Sequence, residues 1–235
     1  MKFDVPLVSG RLIKRYKRFM ADVTLDACEE VVTAHCANSG SMMGLTREGI
    51  RVWLTPSDNP KRKLKYSWEL LEIDGAMVGI NTSRPNGLVE EALRDGRIPE
   101  LAGFDNLRRE VKYGKNSRID ILLEDRDLQK TYVEVKNVTL ARGDMGLAEF
   151  PDAVTARGAK HLSELADMVR EGHQAAMVFL VQRNDCDAVA IARDIDKAYG
   201  AAFDAALEAG VQVYALGCEI SSEEIIPNRP IKLAF

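Results

Sequence analysis

Apolar and polar residues alternate through the first third of the chain, and the alternation predicts short strands. Residues 11–25, RLIKRYKRFMADVTL, are rich in β-formers and end at a turn over Asp26-Ala27. Residues 29–36, EEVVTAHC, form the next strand, followed by the small-residue turn 39–44, SGSMMG. Residues 49–57, GIRVWLTPS, form a third, stopped by Pro56 and the turn Ser57 to Pro60. Residues 66–74 and 76–82 flank Asp74-Gly75, a strong hairpin signal. Five short strands without a helix predict a small β-barrel.

The period changes after Pro85. Residues 86–96 put Leu88, Val89, Ala92 and Leu93 on one helical face, with Gly96 as a stop. Three strand-like runs follow, 109–114, 117–125 and 131–140. Residues 153–172 then read as an amphipathic helix, 175–183 as a buried strand, 194–210 as a helix and 211–220 as a strand. The sequence after Glu224 shows no pattern. The fold class predicted is α+β: a barrel in residues 1–83, then an α/β domain with a mixed central sheet in residues 84–235.

Two of these strands carry candidate chemistry. Side chains alternate along a strand, so Glu134 and Lys136 share one face while Val133 and Val135 point to the core. Asp120 lies in the preceding strand, with Ile119 and Ile121 on its opposite face. If the two strands are neighbours, Asp120 and Glu134 converge on an oxygen-ligand site for Mg2+ or Mn2+. A hard divalent ion activates water and binds a nonbridging phosphate oxygen, and an adjacent lysine orients the water or neutralises developing charge. This set is that of a metal-dependent nuclease core of the PD-(D/E)XK type, and from spacing alone the equal alternative is an interstrand salt bridge between an acid and Lys136 on an exposed sheet face. A Glu-x-Lys triplet by itself is weak, since about one is expected by chance in a chain of this composition. Glu110-Val111-Lys112 is a second match, but no strand-borne aspartate precedes it. The helix acid that completes many such sites is Glu90 or Glu91, and helical phase does not choose between them.

Composition changes this picture little. The chain has 235 residues, 46% hydrophobic and 29% charged, with a net charge of −4, as a globular protein of one or two domains does. The start of the chain lacks the apolar segment of a secretory signal, no run is long enough to cross a bilayer, and four unclustered cysteines suit a reducing compartment. A cytoplasmic location without membrane association is therefore expected. Charge distribution is more informative. Residues 11–18, RLIKRYKR, hold five basic residues and no acid, and residues 61–65, KRKLK, also lack an acid. Two such clusters in an acidic chain point to nucleic-acid-binding patches.

Several long runs resemble the sugar fermentation stimulation protein A family of prokaryotes. They are RLIKRYKRFMADV, HCANSGSM, SDNPKRKLKYSWEL, REVKYGKNSRIDILL, YVEVKNVTL and FPDAVTARGAKHLSEL. The resemblance implies an OB-like N-terminal barrel, a PD-(D/E)XK nuclease-like domain, DNA binding, and a role in expression of sugar, particularly maltose, metabolism genes. Carried over by position, the nuclease motif falls on Asp120, Glu134 and Lys136. The family's N-x-L-x-x-E-A-L helix run matches Asn86 to Leu93 and places the helix acid, a third metal ligand, at Glu91. Ala37 and Ser39 replace a proline and a threonine common in the family, and Gly87 replaces a basic residue.

OB barrels bind strands through a basic groove and aromatic platforms. Arg11, Lys14, Arg15, Lys17, Arg18, Lys61, Arg62 and Lys63 are the candidate phosphate contacts. Tyr16, Phe19, Trp53, Tyr66 and Trp68 are candidate stacking residues, though aromatic side chains more often pack in a core. Arg157, Lys160, His161 and Glu164 form one polar stripe on the helix after the metal-bearing strand. Arg157 and Lys160 are placed to hold substrate, and His161 is a possible general base, although a lone helix histidine is more often structural. The function expected is a DNA-binding, Mg2+- or Mn2+-dependent nuclease. The main alternative is a non-catalytic transcriptional regulator on a nuclease-like scaffold. An enzyme acting on a small sugar or nucleotide is the weakest reading, since no P-loop, GxGxxG or HExxH motif is present. A homodimer is compatible with cutting both strands.

Overall fold

The alternating first third folds as strands and the later helical repeats as helices in a computed structural model, which describes residues 1–114, 117–143 and 146–235. Lys115 and Asn116, inside the REVKYGKNSRIDILL run, lie outside the described residues. Six strands come first: β1 (Val8–Tyr16), β2 (Met20–Leu25), β3 (Val31–Cys36), β4 (Arg51–Pro56), β5 (Tyr66–Ile73) and β6 (Ala76–Gly79). Parallel pairing of β3 with β5, Ala34 opposite Tyr66 and Cys36 opposite Trp68, closes β1 to β5 into an OB-like barrel, and β6 extends it. Leu12, Val23, Ala34, Leu54, Trp68 and Leu71 fill its interior.

The expected strand count fails at one place. Residues 11–25 are two strands, because Lys17 and Arg18 turn the chain with φ of 46° and 65°. These left-handed values normally fall to Gly or Asn, so the turn carries none of the residues that announce one.

The second unit contains α1 (Pro85–Arg94), β7 (Asn106–Tyr113), β8 (Ser117–Glu124), β9 (Lys130–Val138), β10 (Leu140–Ala141), β11 (Leu147–Phe150) and α2 (Ala156–Arg170). It continues with β12 (Gln174–Val181), β13 (Ala188–Ile191), α3 (Lys197–Glu208), β14 (Gln212–Ile220), β15 (Ile225–Pro230) and β16 (Lys232–Leu233). The main sheet runs β15-β14-β12-β9-β8-β7, parallel through β14, β12 and β9 and antiparallel at both edges. This is the mixed central sheet expected for residues 84–235. Its tail had no readable pattern because β15 contains Pro227 and Pro230, which a sheet edge tolerates and a central strand does not.

Helices cover both faces. Leu162, Leu165, Tyr199 and Phe203 from α2 and α3 pack on Ile119, Met177 and Phe179. On the other face, Leu88, Val89, Ala92 and Leu93 of α1 pack on Val133, Val135 and Val178. Pro85 begins α1, where its missing N–H is harmless, and Gly96 closes it at φ 68° with its N–H on the Leu93 carbonyl. Burying each of these Leu or Val side chains stabilises the fold by about 1.5–3 kcal/mol.

The barrel is built into this second core. Trp53 and Leu70 join the α1 cluster, Gly79 N donates to the Gln182 carbonyl and Asn184 N to the Met77 carbonyl. The first residues also belong physically to the second unit: Phe3 N donates to Glu223 O, and Ile225 N to Met1 O. Among the described residues, no helix is long and apolar enough to cross a membrane.

Candidate functional site

Strands β8 and β9 separate at the residues that carry charge. Their pairing runs from Glu124–Lys130 to Ile121–Val133 and stops there. One residue further, the Asp120 side chain replaces the strand: Oδ2 accepts from the Val135 N–H at 2.8 Å. Oδ1 accepts from Nδ2 of Asn86 on α1 at 2.9 Å. The backbone changes phase here, which corrects one expectation. Ile119 and Ile121 are both buried but do not share a face: Ile119 packs toward α2 and Ile121 toward α1. Opposite Asp120 on β7, Glu110 takes φ 54°.

Glu134 lies beside Asp120, 2% exposed. Its Oε1 accepts from Lys136 Nζ at 2.7 Å and is also bonded by His161 Nδ1. Arg157 Nε donates to His161 Nε2 at 3.3 Å, which makes Nε2 an acceptor and leaves the proton on Nδ1. Oε2 of Glu134 has no hydrogen-bond partner among the described residues. Burial raises the Glu134 pKa, but the Lys136 charge and the His161 hydrogen bond outweigh it and hold the carboxyl below its ordinary value. Asp120 goes the other way. Burial and the Glu134 charge push it up to about 6, against the opposing pull of the Val135 N–H, Lys136 and Asn86. Two carboxylates, one with an oxygen that has no partner among the described residues, stand next to an ammonium. Such a donor set suits a hard divalent cation.

The structure does not bring Glu91 to this set. Its Oε1 accepts from the Met1 ammonium at 2.9 Å, on the β15 side of α1. Glu90 is bound by Arg94 at 2.9 Å and faces Arg109 at 3.6 Å. The helix residue that reaches Asp120 is Asn86, one turn before Glu90. Among the described residues, no three His, Cys, Asp or Glu side chains group to hold a metal. Sequence reasoning missed Asn86, and dismissed Glu110, whose Oε1 lies 3.4 Å from Asn86 Nδ2.

Two family models match the chain: one described as the Sugar fermentation stimulation protein RE domain over residues 83–224, the other as the SfsA N-terminal OB domain over residues 13–80. The chain belongs to the sugar fermentation stimulation protein family. A homologue from Rhodospirillum rubrum (strain ATCC 11170) is 59% identical over 229 residues, covering 94% of this chain and 93% of the relative. One from Maricaulis maris (strain MCS10) is 55% identical over 233 residues, covering 99% and 98%. A solved structure of Pyrococcus furiosus SfsA in complex with Ca2+ matches with a TM-score of 0.88 at 28% identity, covering 100% of this chain and 98% of that one.

In this SfsA-family chain the two basic runs meet at one end of the barrel. The β3–β5 pairing sets His35 beside Ser67, Phe19 stacks on His35 at 6.5 Å, and Arg62 Nη2 donates to Ser67 Oγ at 2.8 Å. Lys17, Arg18, Lys61 and Lys63 are exposed, as is Phe19. Arg11 and Lys14 are also exposed, with loose ion pairs to Asp26 at 3.9 Å and Asp22 at 3.7 Å. Arg15 is different. Its guanidinium donates to the carbonyls of Asn38, Gly40 and Ser41, at 2.8, 3.1 and 3.4 Å, so it shapes the 38–41 loop. Trp53 and Trp68 are core residues, and Trp68 Nε1 donates to the Leu70 carbonyl.

The HCANSGSM loop docks on the second unit: Ser41 Oγ donates to the Asp152 carbonyl at 2.8 Å, and Met42 N to Asp152 Oδ2 at 3.1 Å. The basic end of the barrel thus adjoins the start of α2, where Arg157 and Lys160 are exposed and His161 is buried against Glu134.

Proposed function

We propose that this SfsA-family protein binds DNA and cleaves it at a metal-dependent nuclease centre, with Asp120 and Glu134 holding Mg2+ or Mn2+. The observation that carries this is Oε2 of Glu134, buried beside a second carboxylate and without a hydrogen-bond partner among the described residues. A bare buried carboxylate oxygen is costly, and a hard divalent ion is the partner its chemistry fits. The Ca2+ complex of the Pyrococcus furiosus relative supports this class of ion. When bound, the ion would lower the pKa of a water and draw charge from a nonbridging phosphate oxygen.

The chain's own residues do the rest. His161 and Lys136 hold Oε1 and leave Oε2 as the oxygen that would take the ion. Lys136 keeps a positive charge on the same strand face, to orient water and neutralise charge growing on the phosphoryl group. Lys17, Arg18, Lys61, Arg62 and Lys63 supply sequence-independent phosphate contacts at the barrel end, and Arg157 and Lys160 do so at α2. Glu91 has no part in this, because its carboxylate holds the Met1 ammonium. Cytoplasmic placement fits the four free thiols, three of them buried. An association with sugar-metabolism genes rests on the family.

A second reading is favoured by one observation, the lack of a grouped third ligand among the described residues. Here the fold is a non-catalytic DNA-binding regulator. The deciding experiment is a cleavage assay on single-stranded, duplex and branched DNA and on RNA, with Mg2+, Mn2+ or chelator. Metal-dependent cleavage by the wild type that is lost in Asp120→Ala supports the nuclease. Salt-sensitive binding without cleavage on any substrate supports the regulator.

A further inference from the structure

A second cleft, of about 520 Å³, opens along α2 against the ends of β7 and β9, outside the Asp120–Glu134 pair. Glu164 lines it and is 6% exposed, yet neither of its carboxylate oxygens has a hydrogen-bond partner among the described residues. Tyr113, 7% exposed, lines the same cleft, and its buried hydroxyl has no hydrogen-bond partner among the described residues. Lys160 does not resolve this. Its ammonium stands 3.5 Å from Glu164 Oε1 without forming a hydrogen bond, is half exposed, and donates to Ser117 Oγ at 3.3 Å. Glu164, a buried acceptor without a donor among the described residues, borders this opening, and a ligand that donates hydrogen bonds would supply what it lacks.

The lining says what that something is. Among the described lining residues, Glu164, Asp167 and Glu171 set three carboxylates against the ammonium of Lys160, so the lining is acidic in balance. Tyr113 and Tyr132 form an aromatic wall with ring centroids 5.5 Å apart, and Met168 adds a polarizable one. Aromatic faces beside a carboxylate favour an organic cation over a hydrated metal ion, through combined cation–π and charge-assisted hydrogen bonding. The volume is that of a small-molecule site. We infer that this cleft binds a small organic cation, an alkylammonium or guanidinium, with Glu164 as its anchor and Tyr113 and Tyr132 as its walls.

The test is calorimetric titration of the full, metal-free chain with putrescine, and separately with guanidinium chloride, against sodium chloride at matched ionic strength. Saturable one-site binding is expected. Glu164→Gln, close in shape and neutral, should weaken it roughly tenfold or more. Tyr113→Phe, which removes only the hydroxyl, should weaken it less. Asp120→Asn should leave it unchanged, so a failure of the nuclease reading leaves this site standing. No saturable binding, or undiminished affinity in Glu164→Gln, overturns the proposal. If Glu164→Gln does not fold, Tyr113→Phe and Asp167→Asn carry the test, and unchanged affinity in both overturns it.

Discussion

His161 donates from Nδ1 to Oε1 of Glu134, the same oxygen that takes the Lys136 ammonium. Two donors on one oxygen fix the carboxylate plane and leave Oε2 bare. Groups that orient a metal ligand typically change affinity by about 10–100-fold when removed. His161→Ala is expected to weaken Mn2+ binding in that range, read by calorimetry on a protein with unchanged circular dichroism. Arg157→Ala, which releases the other ring nitrogen, should do so by less. Wild-type affinity in His161→Ala would show that the contact is packing alone.

Asp120 should give the metal-free protein a particular pH signature. Its folded pKa, about 6, lies above the ordinary aspartate value, so the folded state binds this proton more tightly than the unfolded chain. The stability it contributes is greatest below that ordinary value and is lost as pH rises through about 6. In thermal melts with chelator, the stability of wild type relative to Asp120→Ala should fall between about pH 4 and pH 6. Mn2+ should restore it at the upper end, because the ion binds the ionised carboxylate. A difference that does not change with pH would contradict the Asp120–Glu134 coupling.

Lys17 and Arg18 occupy the exposed turn between β1 and β2, apart from the docking loop that Arg15 organises. Each phosphate left without its cationic side chain lowers the slope of log affinity against log salt by roughly 0.7–0.9. Replacing both with alanine should therefore flatten the slope by about 1.4–1.8 on any DNA sequence. Arg15→Ala should instead lower the melting temperature, through the loop it braces. An unchanged slope in the double variant would remove this turn from the DNA surface.

Asp196 caps α3 and also tethers α2: its carboxylate accepts from Tyr199 N at 2.9 Å and from Thr155 N at 2.7 Å. The hydrogen bonds from Thr155 and Tyr199 hold its pKa below the ordinary value. Its stabilisation is thus present above that value and lost as pH falls through the folded one. Asp196→Ala should cost about 1–2 kcal/mol in urea unfolding at neutral pH. The gap to wild type should narrow below about pH 4. A gap that persists into strong acid would mean that the charge is not what stabilises these helix starts.

Local periodicity was enough for much of this protein. Alternation located the barrel strands, a repeat of three and four placed Leu88, Val89, Ala92 and Leu93 in the core, and the spacing of two on β9 put Glu134 and Lys136 on one face. These properties belong to a few adjacent residues, and a sequence displays them directly. What depended on non-local contact was hidden. Lys17 and Arg18 turn the chain between the paired strands β1 and β2, although their residue types do not favour left-handed backbone. Asn86 rather than Glu91 meets Asp120, because the packing of α1 sets its rotation and the Met1 ammonium takes Glu91. His161 reaches Glu134 across 27 positions, only because α2 lies over β9. The sequence determined which side chains could do chemistry, and the tertiary structure decided which of them meet.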